Sequence, residues 1–269
     1  MKKNNLLLIL FATIFPVVSY GADVTWTDGG GDGYWETATN WSSNPSLPSA
    51  SSNVTINTTV SAPPLFIDST VEILSLNIGA SANLGVPPIF GTNGPGSLQV
   101  DGNVTYSQSS SLQLQLPVIV GASSTWSGPL DFANNISLYK SSGAATTMTI
   151  AGTTIFETVV NLTIDNATTN SAVNVASGSA TFTGATIKIF ANTGYAPVAG
   201  NSWTFTNSNF SGATLDTSNI TLGAGLSWSP TATFLSTGVL TVVPEPTTWA
   251  LLAGSLTTVM VFRRRRPQA

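Results

Sequence analysis

The chain has 269 residues, no cysteine, no histidine and a formal net charge of −4. Without cysteine or histidine, disulfides, Ser-His-Asp triads, Cys-His dyads and zinc sites of the usual composition are excluded. The charge is unevenly spread: residues 22–243 hold eleven acids against Lys140 and Lys188 alone, a net −9, too acidic a surface to release the counterions that nucleic-acid binding requires.

The chain opens on Lys2 and Lys3, an apolar run from Leu6 to Phe15, and the small residues Ser19 and Gly21 two positions apart. This three-part form predicts a secretory signal peptide over residues 1–21, delivered to the general secretory machinery and cleaved after Gly21. Next, Trp26, Trp35 and Trp41 fall within sixteen residues. Tryptophans this dense either stack on sugars as a carbohydrate platform or close the apolar end of a β stack, and the second reading is favoured. Between them lies Asp28-Gly29-Gly30-Gly31-Asp32-Gly33. Asp28 and Asp32 match the first and fifth positions of an EF-hand loop and Gly33 the sixth. The third is Gly30 and the twelfth Thr39, so a side-chain ligand and the bidentate acid are missing. This is a weak calcium candidate, and the expectation is a structural glycine turn with no metal and no cofactor.

From Val54 onward, short runs alternate apolar and polar residues: Val54 to Asn57, Val71 to Ile78, Leu98 to Val100, Leu112 to Leu116, Met148 to Ile150, Val160 to Ile164 and Ala180 to Phe190. The pattern continues through Trp203 to Thr206, Ile220 to Leu222 and Val239 to Val243. Gly, Asn, Asp, Ser and Pro clusters separate the runs, which predicts many short half-buried strands. Ser, Thr and Asn supply 83 of the 222 residues from 22 to 243, a composition that suits turns and strand faces and disfavours helix interiors. The body is therefore expected to be all-β with almost no helix. No strict repeat appears, yet single apolar residues flanked by small polar ones, as in Ala80 to Gly85 and Val173 to Gly178, suit a narrow coil. An elongated right-handed parallel β-helix, a β-solenoid, is expected ahead of a β-sandwich or jelly roll.

The chain closes on Pro244-Glu245-Pro246, an apolar run from Thr247 to Phe262, and Arg263, Arg264, Arg265 and Arg266. Proline lacks the amide donor, so the triplet is expected to be extended and to stay out of helices and central strands. As a transmembrane helix, residues 247–262 would span roughly 24 Å at about 1.5 Å per residue. That is somewhat short of a hydrocarbon core of roughly 30 Å, a gap that the interfacial Trp249 and snorkelling arginines can cover. Four arginines resist translocation and are expected to stay in the cytoplasm, with everything before Pro244 on the far side.

At these residues the chain resembles the PEP-CTERM sorting domain of exported proteins of Gram-negative bacteria. The resemblance rests on Pro244-Glu245-Pro246, on Trp249-Ala250-Leu251-Leu252-Ala253-Gly254 and on the terminal arginines, with Thr247 where serine or alanine is commoner. It implies recognition by an exosortase, a membrane-embedded cysteine transpeptidase-like enzyme, and an association with exopolysaccharide or biofilm. A looser resemblance, to autotransporter-passenger-like β-repeat proteins, rests on Trp26 to Trp35 with Asn40-Trp41, and on Phe210-Ser211-Gly212, Gly225 to Trp228 and Gly238 to Val242. It implies that the two ends cap a stack of rungs.

Carboxylate chemistry remains open to the composition, since glycoside hydrolysis needs two facing acids, but the eleven acids are scattered singly and nothing singles out a pair. Lys140 and Lys188 could serve a polysaccharide lyase, though the usual arginine is missing from the body. The expectation is thus a signal peptide at 1–21, a secreted β domain at 22–243 and a sorting signal at 244–269. The whole is a non-enzymatic protein of the cell surface or extracellular matrix, held in the inner membrane before processing. A carbohydrate-binding module is the alternative, and a polysaccharide-cleaving β-helix enzyme the third reading.

Overall fold

The computed structural model describes residues 21–85, 89–138 and 145–245. The first twenty residues of the predicted signal peptide, Lys140, Pro246, the apolar run 247–262 and the arginines 263–266 lie outside the described residues.

After β1 (Ala22–Thr25), the chain winds through about six turns of a parallel β-solenoid. The first four turns lay down three strands each: β2 (Ser52–Ile56), β3 (Leu65–Phe66) and β4 (Thr70–Ile73); β5 (Ser75–Ile78), β6 (Ile89–Gly91) and β7 (Ser97–Val100); β8 (Val104–Tyr106), β9 (Leu112–Leu114) and β10 (Val118–Val120); β11 (Ser124–Ser127), β12 (Leu130–Phe132) and β13 (Ile136–Ser137). In the last two turns the first two strands fuse, giving β14 (Thr147–Phe156) with β15 (Val159–Ile164), then β16 (Ala172–Thr181) with β17 (Thr186–Ala191). The chain ends on β18 (Ser202–Thr204), β19 (Thr214–Asp216), β20 (Leu226–Trp228), the helix α1 (Thr231–Thr237) and β21 (Val239–Pro244).

Stacking these turns makes three parallel faces, and alternation along each strand sends every second side chain inward. On the first face Val24, Val54, Leu76, Val104, Trp126 and Ile150 stand in register, all buried. On the second the column is Leu65, Phe90, Leu114, Phe132 and Phe156. On the third it is Val71, Leu98, Val118, Ile136, Val160 and Ile187. The second column becomes an aromatic ladder: Phe132 stacks on Phe156 at 5.2 Å, Phe156 on Phe182 at 4.7 Å, and Phe182 meets Phe210 edge-on at 4.8 Å. Each pair adds about 0.5–1.5 kcal/mol beyond its buried area.

Side chains cap the turns between rungs, and this is where the Ser, Thr and Asn content is used. Asn57 Oδ1 accepts from Ser81 N at 3.1 Å, Asn103 Oδ1 from Thr125 N at 2.9 Å, Ser123 Oγ from Thr147 N at 3.0 Å and Asn207 Oδ1 from Val175 N at 2.7 Å. Each bond satisfies a backbone donor of one turn with a residue of the neighbouring turn. At the corner where β14 and β16 bend from the first face to the second, Gly128, Gly152 and Gly178 stack. A Cβ on Gly152 would lie 2.7 Å from Gly128 N, and one on Gly178 would lie 2.9 Å from Gly152 Cα. Only glycine lets the backbones approach so closely.

The last sheet departs from the stack. β21 pairs antiparallel with β18 on one side and β20 on the other. Although almost no helix was expected, α1 forms from TATFLST, a segment without strong helix formers apart from Ala232 and Leu235. Tertiary packing sets it: Phe234 is fully buried, 5.2 Å from Phe210 and 6.0 Å from Phe205. Three details correct the sequence expectations. The run Val71 to Ile78 is two strands on different faces, turning at Leu74, and Ile220 is buried without belonging to a strand. Pro244 does enter a central strand, as the last residue of β21 opposite Leu226. β18 pairs only with Val239 to Thr241, so at Pro244 no ladder bond on that side needs the missing N–H. Among the described residues no helix is long and apolar enough to cross a membrane.

Candidate functional site

The most elaborate side-chain network lies at the start of the solenoid and is built on the glycine loop. Asp32 Oδ1 accepts from Tyr34 N at 3.1 Å and from Asn40 Nδ2 at 2.7 Å, while Oδ2 accepts from Thr37 Oγ1 at 2.6 Å. Burial pushes the Asp32 carboxyl up, but the bonds from Thr37, Tyr34 and Asn40 together outweigh it and hold the group below the usual carboxylate range. Asn40, fully buried, also donates to Tyr34 O at 2.9 Å and accepts from Gly30 N at 2.7 Å. Asp28 faces a different partner, its Oδ2 accepting from Ser61 N at 2.9 Å and from Ser61 Oγ. The two aspartates thus serve separate networks that tie the loop to residues 34–40 and to the next turn. Among the described residues no group of three or more acids could hold a metal ion.

Trp26, Trp35 and Trp41 are 1%, 0% and 1% exposed, which decides against a carbohydrate platform on their rings. They pack on one another, Trp26 to Trp41 at 4.8 Å and Trp35 to Trp41 at 4.5 Å, and Trp41 Nε1 donates to Trp35 O at 2.7 Å. No ring face is left for a sugar. Gly33 explains how the chain reaches this position: its φ is +72°, and a Cβ there would strike Ala62 O.

Alternation around Trp35 brings a different aromatic pair to the outer surface. Trp35 fills the core, so Tyr34 points outward; Leu65 fills the core, so Phe66 points outward. The two half-buried rings meet at 5.4 Å with 30° between their planes. The backbone fixes them in register through Phe66 N to Gly33 O and Trp35 N to Phe66 O, both 2.9 Å. Asn93 Nδ2 donates to the Tyr34 hydroxyl at 3.2 Å, and Asn93 N donates to Asp68 Oδ1 at 2.6 Å. Neither Tyr34, Phe66 nor Asn93 stands out in the sequence. The available signal is the in-and-out alternation of Tyr34-Trp35 and Leu65-Phe66, legible only once the isolated bridge between Tyr34 and Phe66 is known to bring the two pairs together.

Of the remaining acids, Glu72 Oε1 and Asp101 Oδ1 meet at one partner, accepting from Gln99 Nε2 at 2.9 and 2.8 Å. Asp131, on the outer side of the second face, is only 8% exposed, and its Oδ1 has no hydrogen-bond partner. Burial, with repulsion from Glu157, raises its pKa above the ordinary value. Lys188 lies 3.9 Å from Asp216 Oδ2 and 5.5 Å from the centre of the Phe190 ring, engaged within its own face. Pro244 and Glu245, the described part of the sorting triplet, continue the last sheet, where Glu245 N donates to Gly225 O at 2.9 Å. Comparisons with known protein families, with characterised proteins and with solved structures find nothing that matches this chain.

Proposed function

We propose that this is a non-enzymatic exported protein whose β-solenoid body is displayed at the cell surface or in a polysaccharide-rich matrix after processing of a C-terminal sorting tail. The observation that carries the reading is the position of the first and last strands relative to the two sequence signals. The first strand begins at Ala22, directly after the small residue where leader cleavage is expected, and the last ends at Pro244, the first residue of the sorting triplet. The tail that follows, apolar from Thr247 to Phe262 and then Arg263 to Arg266, has the order of a membrane stop followed by a cytoplasmic anchor. In this reading an exosortase recognises the triplet, the general secretory machinery carries the chain out, and the inner membrane holds it only before processing. A right-handed coil belongs to the same proposal, because parallel strands joined by crossovers wind that way almost without exception.

The test is replacement of Pro244, Glu245 and Pro246 by alanine in the native host, with immunoblots of membrane and extracellular fractions. The expected result is normal export with the tail retained and the protein held in the membrane. A triple variant trimmed and released like the wild type overturns the sorting role.

A further inference from the structure

We propose that Asn93-Gly94 is a self-modification site, at which the Gly94 backbone nitrogen displaces ammonia from the Asn93 side chain; this chemistry goes beyond the sorting reading above and needs nothing from the tail. The pair lies in the turn between β6 and β7, and both residues are exposed. It is the one place in the chain where glycine follows asparagine. Ring closure brings a backbone nitrogen onto the side-chain carbonyl carbon of the residue before it, and a glycine at the second position leaves that approach unshielded by a Cβ. A Cβ on Gly94 would lie 3.3 Å from Asp68 O, so any larger residue would crowd the turn as it closes.

The turn sets a proton acceptor at the attacking nitrogen and a hydroxyl at the departing one. Gly94 N donates to Thr92 Oγ1 at 3.1 Å, and Thr92 Oγ1 stands 3.4 Å from Asp68 Oδ1, so the proton lost by Gly94 has a path to a carboxylate. In the resting turn the Thr92 hydroxyl donates to Gly94 O at 2.8 Å and has only to rotate toward Asp68 for the transfer. Asp68 is held in place, its Oδ1 accepting from Asn93 N at 2.6 Å. On the other side Asn93 Nδ2 lies 3.2 Å from the Tyr34 hydroxyl, which fixes the amide and gives it a proton as it leaves. Asp32 and Asn40 in turn hold the Tyr34 backbone at its N–H and its carbonyl. The step balances: the bond from Gly94 N to Asn93 Cγ forms, the Cγ–Nδ2 bond breaks, and ammonia leaves with the Tyr34 proton. The Gly94 proton reaches Asp68 and returns to Tyr34 through water. Water then opens the succinimide at either carbonyl, leaving aspartate or isoaspartate at position 93. Both products set a new carboxylate beside Asp68, where like charges repel.

The experiment incubates the full chain, purified in detergent, at neutral pH and follows every asparagine by peptide mass mapping, with isoaspartate separated from aspartate by chromatography. Thr92→Val and Tyr34→Phe each remove one hydroxyl and keep the side-chain volume, and Asn93→Gln removes the reacting group. The expected result is that Asn93 converts ahead of every other asparagine, to both aspartate and isoaspartate, and that Asn93→Gln abolishes the mass change in that peptide. Thr92→Val and Tyr34→Phe should each slow conversion about tenfold in the folded protein and leave the rate in urea unchanged, where the dipeptide acts alone. Should Tyr34→Phe fail to fold, Thr92→Val, altered only in the turn, decides the matter. Conversion at Asn93 no faster than at the other asparagines overturns the site. Equal rates in the folded wild type, Thr92→Val and Tyr34→Phe overturn the roles of the two hydroxyls, as does the same slowing in urea.

Discussion

The two ends of the solenoid solve one problem in different ways. A stack of parallel rungs exposes apolar rings and unpaired backbone at each end, and both must be covered. At the start, three buried tryptophans close the core, and polar side chains from the glycine loop tie them down through Asp32 and Asn40. The finish has side-chain bonds of its own: Asn201 Oδ1 accepts from the Tyr195 hydroxyl at 2.9 Å and from Val198 N at 2.8 Å, and Trp203 Nε1 donates to Asn166 O at 2.8 Å. There the chain also changes pairing, from parallel turns to an antiparallel sheet of β18, β21 and β20, and α1 lays Phe234 over Phe210. The finish thus adds a three-stranded antiparallel sheet to its side-chain contacts, where the start has an isolated antiparallel bridge, Trp26 to Trp41. Damage to single side chains should therefore be felt more sharply at the start.

Trp41→Ala is the largest expected break. Trp41 touches both other tryptophans and donates to Trp35 O, so its loss should cost about 4 kcal/mol, read as a shift of the denaturation midpoint. Phe234→Ala should cost about 3 kcal/mol, because the antiparallel ladder beneath it remains intact. A larger loss at Phe234 than at Trp41 would reverse the comparison. Asp32→Ala should cost about 1–3 kcal/mol by leaving buried donors unmatched. The sign with pH follows from the depressed folded pKa of Asp32. Its contribution is present above the unfolded value near 3.9 and fades as pH falls through the folded one, so wild type and variant should converge in strong acid.

Asp131, in the stack between the ends, shifts the other way. Its folded pKa is raised, so the stability it contributes is present below about 3.9 and is lost as pH rises through the folded value. Asp131→Asn should accordingly raise the melting temperature at neutral pH and do nothing at pH 3, a gain of roughly 1 kcal/mol or less. An equal gain at both pH values would mean that packing, not charge, is responsible.

Much of this architecture was legible in the residues. The short alternating runs gave the all-β class, and the small apolar positions favoured a coil over a sandwich. The repeat itself was hidden because the turns differ in length: on the first face register partners Val54, Leu76, Val104, Trp126 and Ile150 are 22 to 28 residues apart. Strands of two or three residues, such as β3 and β13, are set by stacking on their neighbours and carry too few residues to show a period. The helix α1 follows from the cavity over Phe210 rather than from its own propensities. At the start of the chain the tryptophans were legible as a cap, whereas Tyr34 and Phe66 become partners only when turns separated by 32 residues come into register.

The most direct test of the account is the intact mass of the protein recovered from outside the cell. It predicts a chain that begins at Ala22 and ends within or before the Pro244-Glu245-Pro246 triplet, without the apolar run and the arginines. An extracellular species that still carries Met1 or Arg263 to Arg266 would contradict it.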